Sequence, residues 1–293
     1  MEKRKKQKSK KLRVISDILT VLIILTGAVF LGYPTFSQWW NSMHMSRVVA
    51  NYDNSVDEMS KANKKALREQ ASEYNKRLIQ KADRFNFSAE DEKEYNSVLD
   101  VNDGVMAVLD IPKIDVKLPV YHGTGESVLQ MGIGHLEGSS FPVGGKGTHA
   151  VLSGHRGLPN AELLSGLDRI ELGDYFTIRV LGETLTYKVD NIETVLPDDL
   201  HLLEIDKDKD LCTIVTCTPY GINTHRLMIR GERVPNPQKA IPRGKGNSDR
   251  FPMWIVILII AFLLILIIVF VRKRSKSKSG KQNGELIKNQ SSD

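Results

Sequence analysis

Residues 213–230, Thr213-Ile-Val-Thr-Cys-Thr-Pro-Tyr-Gly-Ile-Asn-Thr-His-Arg-Leu-Met-Ile-Arg230, decide how this chain folds. The opening run is β-branched, stiff at χ1 and suited to an extended strand. It ends at Cys217 and breaks at Pro219, which has no N–H to continue a ladder. Gly221 permits a turn, and a second apolar run opens at Arg226, eight residues after Thr218. Two antiparallel strands joined in this way bring Arg226 beside Cys217. A cysteine at a strand end is rigidly held and partly exposed, which suits a nucleophile, although most free cysteines are small core residues.

The same texture extends upstream. Val105–Ile111, Val116–Tyr121, His149–Ser153, Phe176–Val180, Leu185–Val189 and Leu211–Thr216 are short β-rich runs separated by turn residues, and Gly182-Glu183 marks a hairpin. Such spacing indicates a β-barrel or a sandwich. One short helix is expected over Ala161–Ile170. Before the strands, Tyr52, Val56, Met59, Leu67, Tyr74 and Leu78 recur at helical spacing, so residues 45–82 read as an amphipathic helix broken once. Residues 83–103 are polar, acidic and irregular, and read as a loop. Residues 235–251 form a Pro/Gly-rich linker.

Charge is unevenly placed. The chain has 293 residues and a formal net charge of +6, but residues 1–13 hold eight Lys or Arg and the tail from Arg272 holds seven. The middle is mildly acidic, which argues against nucleic acid as a partner. Each basic end adjoins an apolar segment. Met253–Val271 is 19 uncharged residues, and at ~1.5 Å per residue a helix of that length crosses a ~30 Å hydrocarbon core. Ile18–Tyr33 is shorter. It reads as an uncleaved anchor rather than a cleaved signal peptide, because no small-x-small cleavage site follows it and Trp39-Trp40 resembles an interfacial belt. The positive-inside rule then puts both basic ends in the cytoplasm. The expected organisation is a basic tail (1–13), a transmembrane signal-anchor (14–33), an extracellular helical segment (45–103), a catalytic domain (104–234), a linker (235–251), a second span (252–271) and a basic tail (272–293).

The chain has two cysteines, Cys212 and Cys217. On one strand they stand ~16 Å apart at ~3.3 Å per residue, whereas a disulfide needs less than ~7 Å. Their odd separation also points them to opposite faces. An exported domain with a free thiol needs a reason for it, and catalysis supplies one. A thiol nucleophile needs an imidazole partner that later protonates the leaving amine. In Leu152-Ser-Gly-His155-Arg-Gly157, His155 sits between glycines just past a strand end, where it can face a cleft. The other six histidines read as ordinary loop or core residues. Arg226 beside the thiol can stabilise a thiolate and an oxyanion, although a surface arginine explains it equally well.

The run TIVTC resembles the Thr-Leu-x-Thr-Cys signature of sortases, with Ile214 in place of Leu. The stretch from Thr213 to Val234 is similar to the active-site strand pair of class C sortases, the pilin polymerases, and LSGHRGLP resembles their histidine loop. IPKIDVKLPVYHGT and GIGHLEGSSFPVGG resemble their barrel segments. The resemblance covers roughly Val105 to Val234. It implies a mainly β fold: a closed sortase-type barrel with N-terminal helices and a short crossing helix, flanked by two transmembrane helices. It implies Cys217 as nucleophile, His155 as acid/base and Arg226 as oxyanion and substrate stabiliser, with no metal or organic cofactor. Class C enzymes usually carry a lid with an Asp-Pro-aromatic motif. Here Asp83-Arg84-Phe85 keeps the acid and the aromatic but lacks the proline, so Asp83 and Phe85 are the lid candidates. Asp83 is expected to pair with Arg226, and Phe85 to cover Cys217. The implied reaction cleaves a Leu-Pro-x-Thr-Gly-like sorting signal and passes the acyl group to a lysine of another pilin subunit. The implied partners are pilins or surface proteins and the membrane, and the catalytic domain is expected to be monomeric. A cell-wall-anchoring sortase that uses a peptidoglycan-precursor amine, or a non-catalytic pilus scaffold, is the alternative.

Overall fold

The computed structural model describes residues 2–81, 83–101, 104–157, 163–239 and 241–243, together with 257, 258 and 262. The chain divides into two compact units: residues 36–249, and residues 1–35 with 250–293. The larger unit is a closed barrel of eight strands. They are β1 (Val105–Ile111), β2 (Val116–His122), β3 (Ile133–His135), β4 (Thr148–Ser153), β5 (Tyr175–Val180), β6 (Glu183–Val195), β7 (Asp210–Thr218) and β8 (His225–Val234), arranged β1-β2-β3-β4-β7-β8-β6-β5 with β5 closing on β1.

Period-two alternation fills the barrel. Leu109, Val120, Leu152, Ile178, Tyr187, Cys212, Ile214, Leu227 and Ile229 are buried together inside it. The opposite parity of β4, β7 and β8 faces outward, where Val151, Val215 and Met228 form a second cluster with Val195, Leu202 and Leu203. The β5–β6 hairpin turns at Leu181-Gly182, both at positive φ, with Val180 opposite Glu183.

Helix α1 (Glu2–Glu58) ends near Met59-Ser60, and α2 (Lys61–Leu78) starts on the Ser60 hydroxyl, which accepts from the Asn63 N–H at 3.1 Å. Tyr52 of α1 is buried. Its hydroxyl donates to the Met106 carbonyl and accepts from the Leu181 N–H, and burial pushes its pKa up to about 12. Asn75 of α2 bonds both the N–H and the carbonyl of Phe141, between β3 and β4.

The structure adds elements that the sequence does not announce. Residues 83–103 hold a helix, α3 (Ala89–Ser97), whose Ser88 and Asp91 form a capping box. Its Tyr95 is buried and stacks on His135 and Phe141. A further short helix, α4 (Glu126–Met131), precedes β3. In place of a crossing helix over Ala161–Ile170 there is a single 3₁₀ turn, Leu167–Arg169; Ala161 and Glu162 lie outside the described residues. Leu163, Leu164 and Leu167 have helical spacing and are buried in the core, but Leu163 stands at φ +37°, outside the right-handed helical region, so no helix runs through it.

In the smaller unit, residues 14–33 are helical, and Leu19, Leu22, Ile23, Val29, Phe30 and Leu31 are exposed. No helix among the described residues is long and apolar enough to cross a membrane. Residues 252–271 lie outside the described residues except for Ile257, Leu258 and Phe262.

Candidate active site

Three adjacent strands converge at one end of the barrel. In the antiparallel pair β7–β8, Cys217 lies directly opposite Arg226, and Thr218 opposite His225. Directly opposed residues have Cα atoms ~4.5–5.5 Å apart. In the parallel pair β4–β7, Ser153 aligns with Val215, and the Gly154 N–H donates to the Val215 carbonyl at 3.1 Å. β4 ends there, and His155 follows two residues on, in the loop that leaves the strand. Parity sorts the faces of the paired strands: Cys217 shares the outward face of Val215, and Arg226 that of Met228. All three residues are half-buried, so nucleophile and guanidinium stand side by side on neighbouring strands, and the imidazole sits in the loop leaving the adjacent strand.

Local chemistry holds them there. The buried Thr216 hydroxyl donates to the Gly154 carbonyl at 2.8 Å and ties the end of β7 to the histidine loop. Gly154 leaves room for its neighbours, because a Cβ there would come within 2.6 Å of the Ile133 Cδ1 and 2.8 Å of the Leu164 Cδ1, and both side chains would have to shift. Gly157 has a φ of +83°, and the Tyr220 ring would lie 2.7 Å from a Cβ at that position. The β7–β8 turn is thus seated on the histidine loop. Arg156 is paired with Asp168 at 2.8 Å. The Arg226 Nη1 donates to the carbonyls of Asn223 at 3.2 Å and His225 at 3.1 Å, which braces the guanidinium from below.

The two thiols differ in setting. Both are free; Cys212 is fully buried, and desolvation, assisted by the Asp210 carboxylate, pushes its thiol well above the ordinary range. Cys217 is on the partly exposed face at the strand end.

The lid candidates divide. Phe85 packs against the outer cluster that contains Val151, Val215 and Met228, one rung from Cys217 and Arg226. Asp83 is exposed, and among the described residues no ion pair joins it to Arg226, which corrects the expected Asp83–Arg226 contact. The residue between them is the anchor. Arg84 donates to the carbonyls of Gly138 at 3.2 Å and Leu203 at 2.6 Å, and its guanidinium covers the Phe85 ring at 4.5 Å. A guanidinium has five N–H groups and reaches carbonyls on two different loops, which a carboxylate cannot do. The sequence held this signal only as an arginine in an acidic stretch.

The remaining histidines outside the site are occupied or peripheral. His149 Nδ1 donates to the Glu204 carbonyl and its Nε2 accepts from Thr213, both at 2.7 Å, and burial lowers its pKa to about 4. His135 is fully buried between Tyr95 and the Ser140 carbonyl, and burial lowers its pKa to about 3. Among the described residues no cluster of His, Cys, Asp or Glu could hold a metal ion.

Comparison with known proteins gives the family. Residues 109–234 match the sortase domain. The chain is 30% identical over 130 residues to sortase D of Bacillus subtilis; the match spans 43% of this chain and 63% of that relative, just under two thirds of its length. Among solved structures it is similar to sortase C1 of Streptococcus agalactiae, with 50% identity, a TM-score of 0.63, and coverage of 65% of this chain and all of that one. It is also similar to sortase C of Streptococcus pneumoniae, with 40% identity, a TM-score of 0.59, and coverage of 66% of this chain and all of that one. With 50% identity to a sortase C over the 65% of this chain that aligns with all of that one, the chain belongs to the sortase family of cysteine transpeptidases.

Proposed function

We propose that this protein is a membrane-tethered transpeptidase that cleaves a Leu-Pro-x-Thr-Gly-like sorting signal between Thr and Gly and joins the acyl fragment to a lysine amine of a pilin subunit. The observation that carries this reading is the direct pairing of Cys217 with Arg226 on β7–β8, beside β4, whose end leads into His155. The pilin acceptor is supported by likeness to Streptococcus pneumoniae sortase C, whose structure is described in terms of catalysis and pilin substrate specificity. The tether rests on the two apolar segments with their basic flanks, residues 14–33 and 252–271.

The chemistry follows from the three side chains. The Cys217 thiolate attacks the Thr carbonyl carbon, and the Arg226 guanidinium faces the oxyanion that forms. As the C–N bond to Gly breaks, the His155 imidazolium gives its proton to the departing amine, leaving a thioester. An incoming lysine amine then attacks, His155 takes up its proton, and the Cys217 thiolate leaves. Phe85, carried by the Arg84 anchor, serves as a lid over the rung next to Cys217.

The test is to incubate the chain with a sorting-signal peptide and map the adduct by mass. A thioester on Cys217, resolved by a pilin lysine into an amine-linked product, is the expected result. An adduct on Cys212, or a Cys217 that stays unmodified while the peptide is cleaved, overturns the site. A thioester resolved by peptidoglycan-precursor amines but not by pilin lysine overturns the pilin acceptor and keeps the site.

A further inference from the structure

His155 carries an unpaired atom. Its Nε2 is buried and makes no hydrogen bond, although the ring as a whole is 22% exposed. A buried polar nitrogen without a partner is unusual and calls for an explanation. The nearest charged group is Glu126, the first residue of α4, whose Oε1 lies 3.4 Å from that nitrogen. This is ion-pair distance without hydrogen-bond alignment, a geometry that tightens with a small rotation once a proton sits on Nε2. The same Oε1 accepts from Gln130 Nε2 at 2.9 Å, one helical turn on. The carboxylate is therefore held in place by its own helix and aimed at the ring from outside the three-strand site.

The charges around His155 show what the carboxylate does. In the same loop Arg156 is paired with Asp168, and Tyr220 of the β7–β8 turn packs against Gly157. Arg226 and Cys217 belong to the strand pair beside the loop. A positive charge on the ring is disfavoured by a nearby cation and favoured by a nearby anion, and Glu126 is the carboxylate that lies next to it. The Glu126 carboxyl is held below its ordinary range, first by the Gln130 hydrogen bond and then by the His155 charge, so it is ionised at neutral pH.

We infer that Glu126 is a positioning residue of the site: its carboxylate orients the His155 ring through Nε2 and favours the protonated imidazole over the neutral one. The inference rests on the transpeptidase reading for its consequence in rate. In that reading the reactive form needs both a thiolate and an imidazolium. Below the imidazole ionisation, His155 is protonated with or without Glu126. Between the imidazole and thiol ionisations the rate follows the imidazolium fraction, and Glu126 raises that fraction. Glu126 is 69% exposed, so solvent screens it and the expected gain is about two- to fivefold.

The test compares full-length wild type with Glu126→Gln and Glu126→Asp, measuring the rate of thioester formation on a sorting peptide from pH 5.5 to 9. Glu126→Gln keeps the shape and removes the charge. Its rate should fall about two- to fivefold at pH 7–8 and converge on wild type by pH 5.5, and the acid-side break of the profile should move to lower pH. Glu126→Asp, which keeps the charge, should recover part of the loss. A deficit of equal size at every pH makes the role structural and overturns the inference, as does no deficit at any pH. An NMR titration of the His155 ring gives a readout independent of activity, and its midpoint should be lower in Glu126→Gln. If wild type forms no thioester at all, the transpeptidase reading fails, and that titration still decides for or against Glu126: an unmoved midpoint overturns it.

Discussion

The parallel pair β4–β7 presents a histidine and a cysteine twice. Near its start, His149 sits opposite Leu211, next to Cys212; just past its end, His155 follows β4 and Cys217 lies near the end of β7. The residue types match and the settings do not. His149 has both ring nitrogens bonded and Cys212 is sealed inside the barrel, with its thiol pushed up by burial. His155 keeps Nε2 without a hydrogen bond, and Cys217 is half-buried on the outer face. Reactivity is therefore assigned by parity and by where the strands stop. An even step from Cys212 stays in the core, whereas five steps reach the outside face at the strand end, just before Pro219 stops the ladder.

The largest expected effect tests that contrast directly. Cys217→Ala should abolish thioester formation, a loss of at least ~10³-fold. Cys212→Ala should leave the rate within about twofold and cost only about 1 kcal/mol of stability from the emptied core volume. Peptide trapping and a denaturant melt on both variants check it. Comparable losses of activity in the two would mean that the parity contrast does not decide function.

Next in size is Arg226. Lysine keeps the charge but loses the planar fork that bonds the Asn223 and His225 carbonyls while facing Cys217. Arg226→Lys should slow thioester formation about 10²-fold, the typical cost of one oxyanion donor, with little change in peptide KM. An unchanged turnover number with a raised KM would make Arg226 a binding residue instead.

The buried histidines give a stability counterpart. His135 and His149 titrate near pH 3 and pH 4 in the fold, against ~6.5 when unfolded. Between those values the unfolded chain binds protons that the native barrel refuses, so stability is fully present above about pH 6.5 and falls as the pH drops. At pH 4.5 the loss should be roughly 2–3 kcal/mol per histidine. Asp110 and Asp210, raised mainly by burial, act with the opposite sign and offset part of it. A urea midpoint that falls clearly from pH 7 to pH 4.5 is expected; a flat midpoint contradicts two buried neutral imidazoles.

How much of this was legible in the sequence depended on how local the cause was. Strands β1, β2, β4, β5, β7, β8 and the first half of β6 were readable because β-branched alternation is written in adjacent residues, and the Cys217–Arg226 pairing because one short turn joins the two strands. Three-residue β3 carries too little pattern to register. Helix α3 was hidden in an acidic stretch, although Ser88-x-x-Asp91 is a capping signature that could have exposed it. Glu126 and Arg84 could not be found from their neighbours, because what gives each a role lies far along the chain: His155 for one, Gly138 and Leu203 for the other.

The smallest expected effect concerns that last contact. Phe85 packs on the outer cluster that includes Val215 and Met228 and is held by Arg84, whereas Asp83 is exposed. If this segment opens and closes as a lid, losing the Arg84 anchor weakens the closed state. Hydrogen bonds from a charged donor contribute about 1.5–3 kcal/mol, less where solvent competes, so about 1 kcal/mol is a fair figure for this half-buried pair. Arg84→Ala and Phe85→Ala should then speed labelling of Cys217 by a small thiol reagent about fivefold. Asp83→Ala should leave it unchanged, the reverse of what an Asp83–Arg226 pair would produce. Cys212 serves as the internal control, because its thiol is reached only when the barrel itself opens. Faster labelling at Cys217 with Cys212 still protected is local opening of a lid. Faster labelling at both cysteines is loss of the fold, and the lid then has no part in how Cys217 is reached.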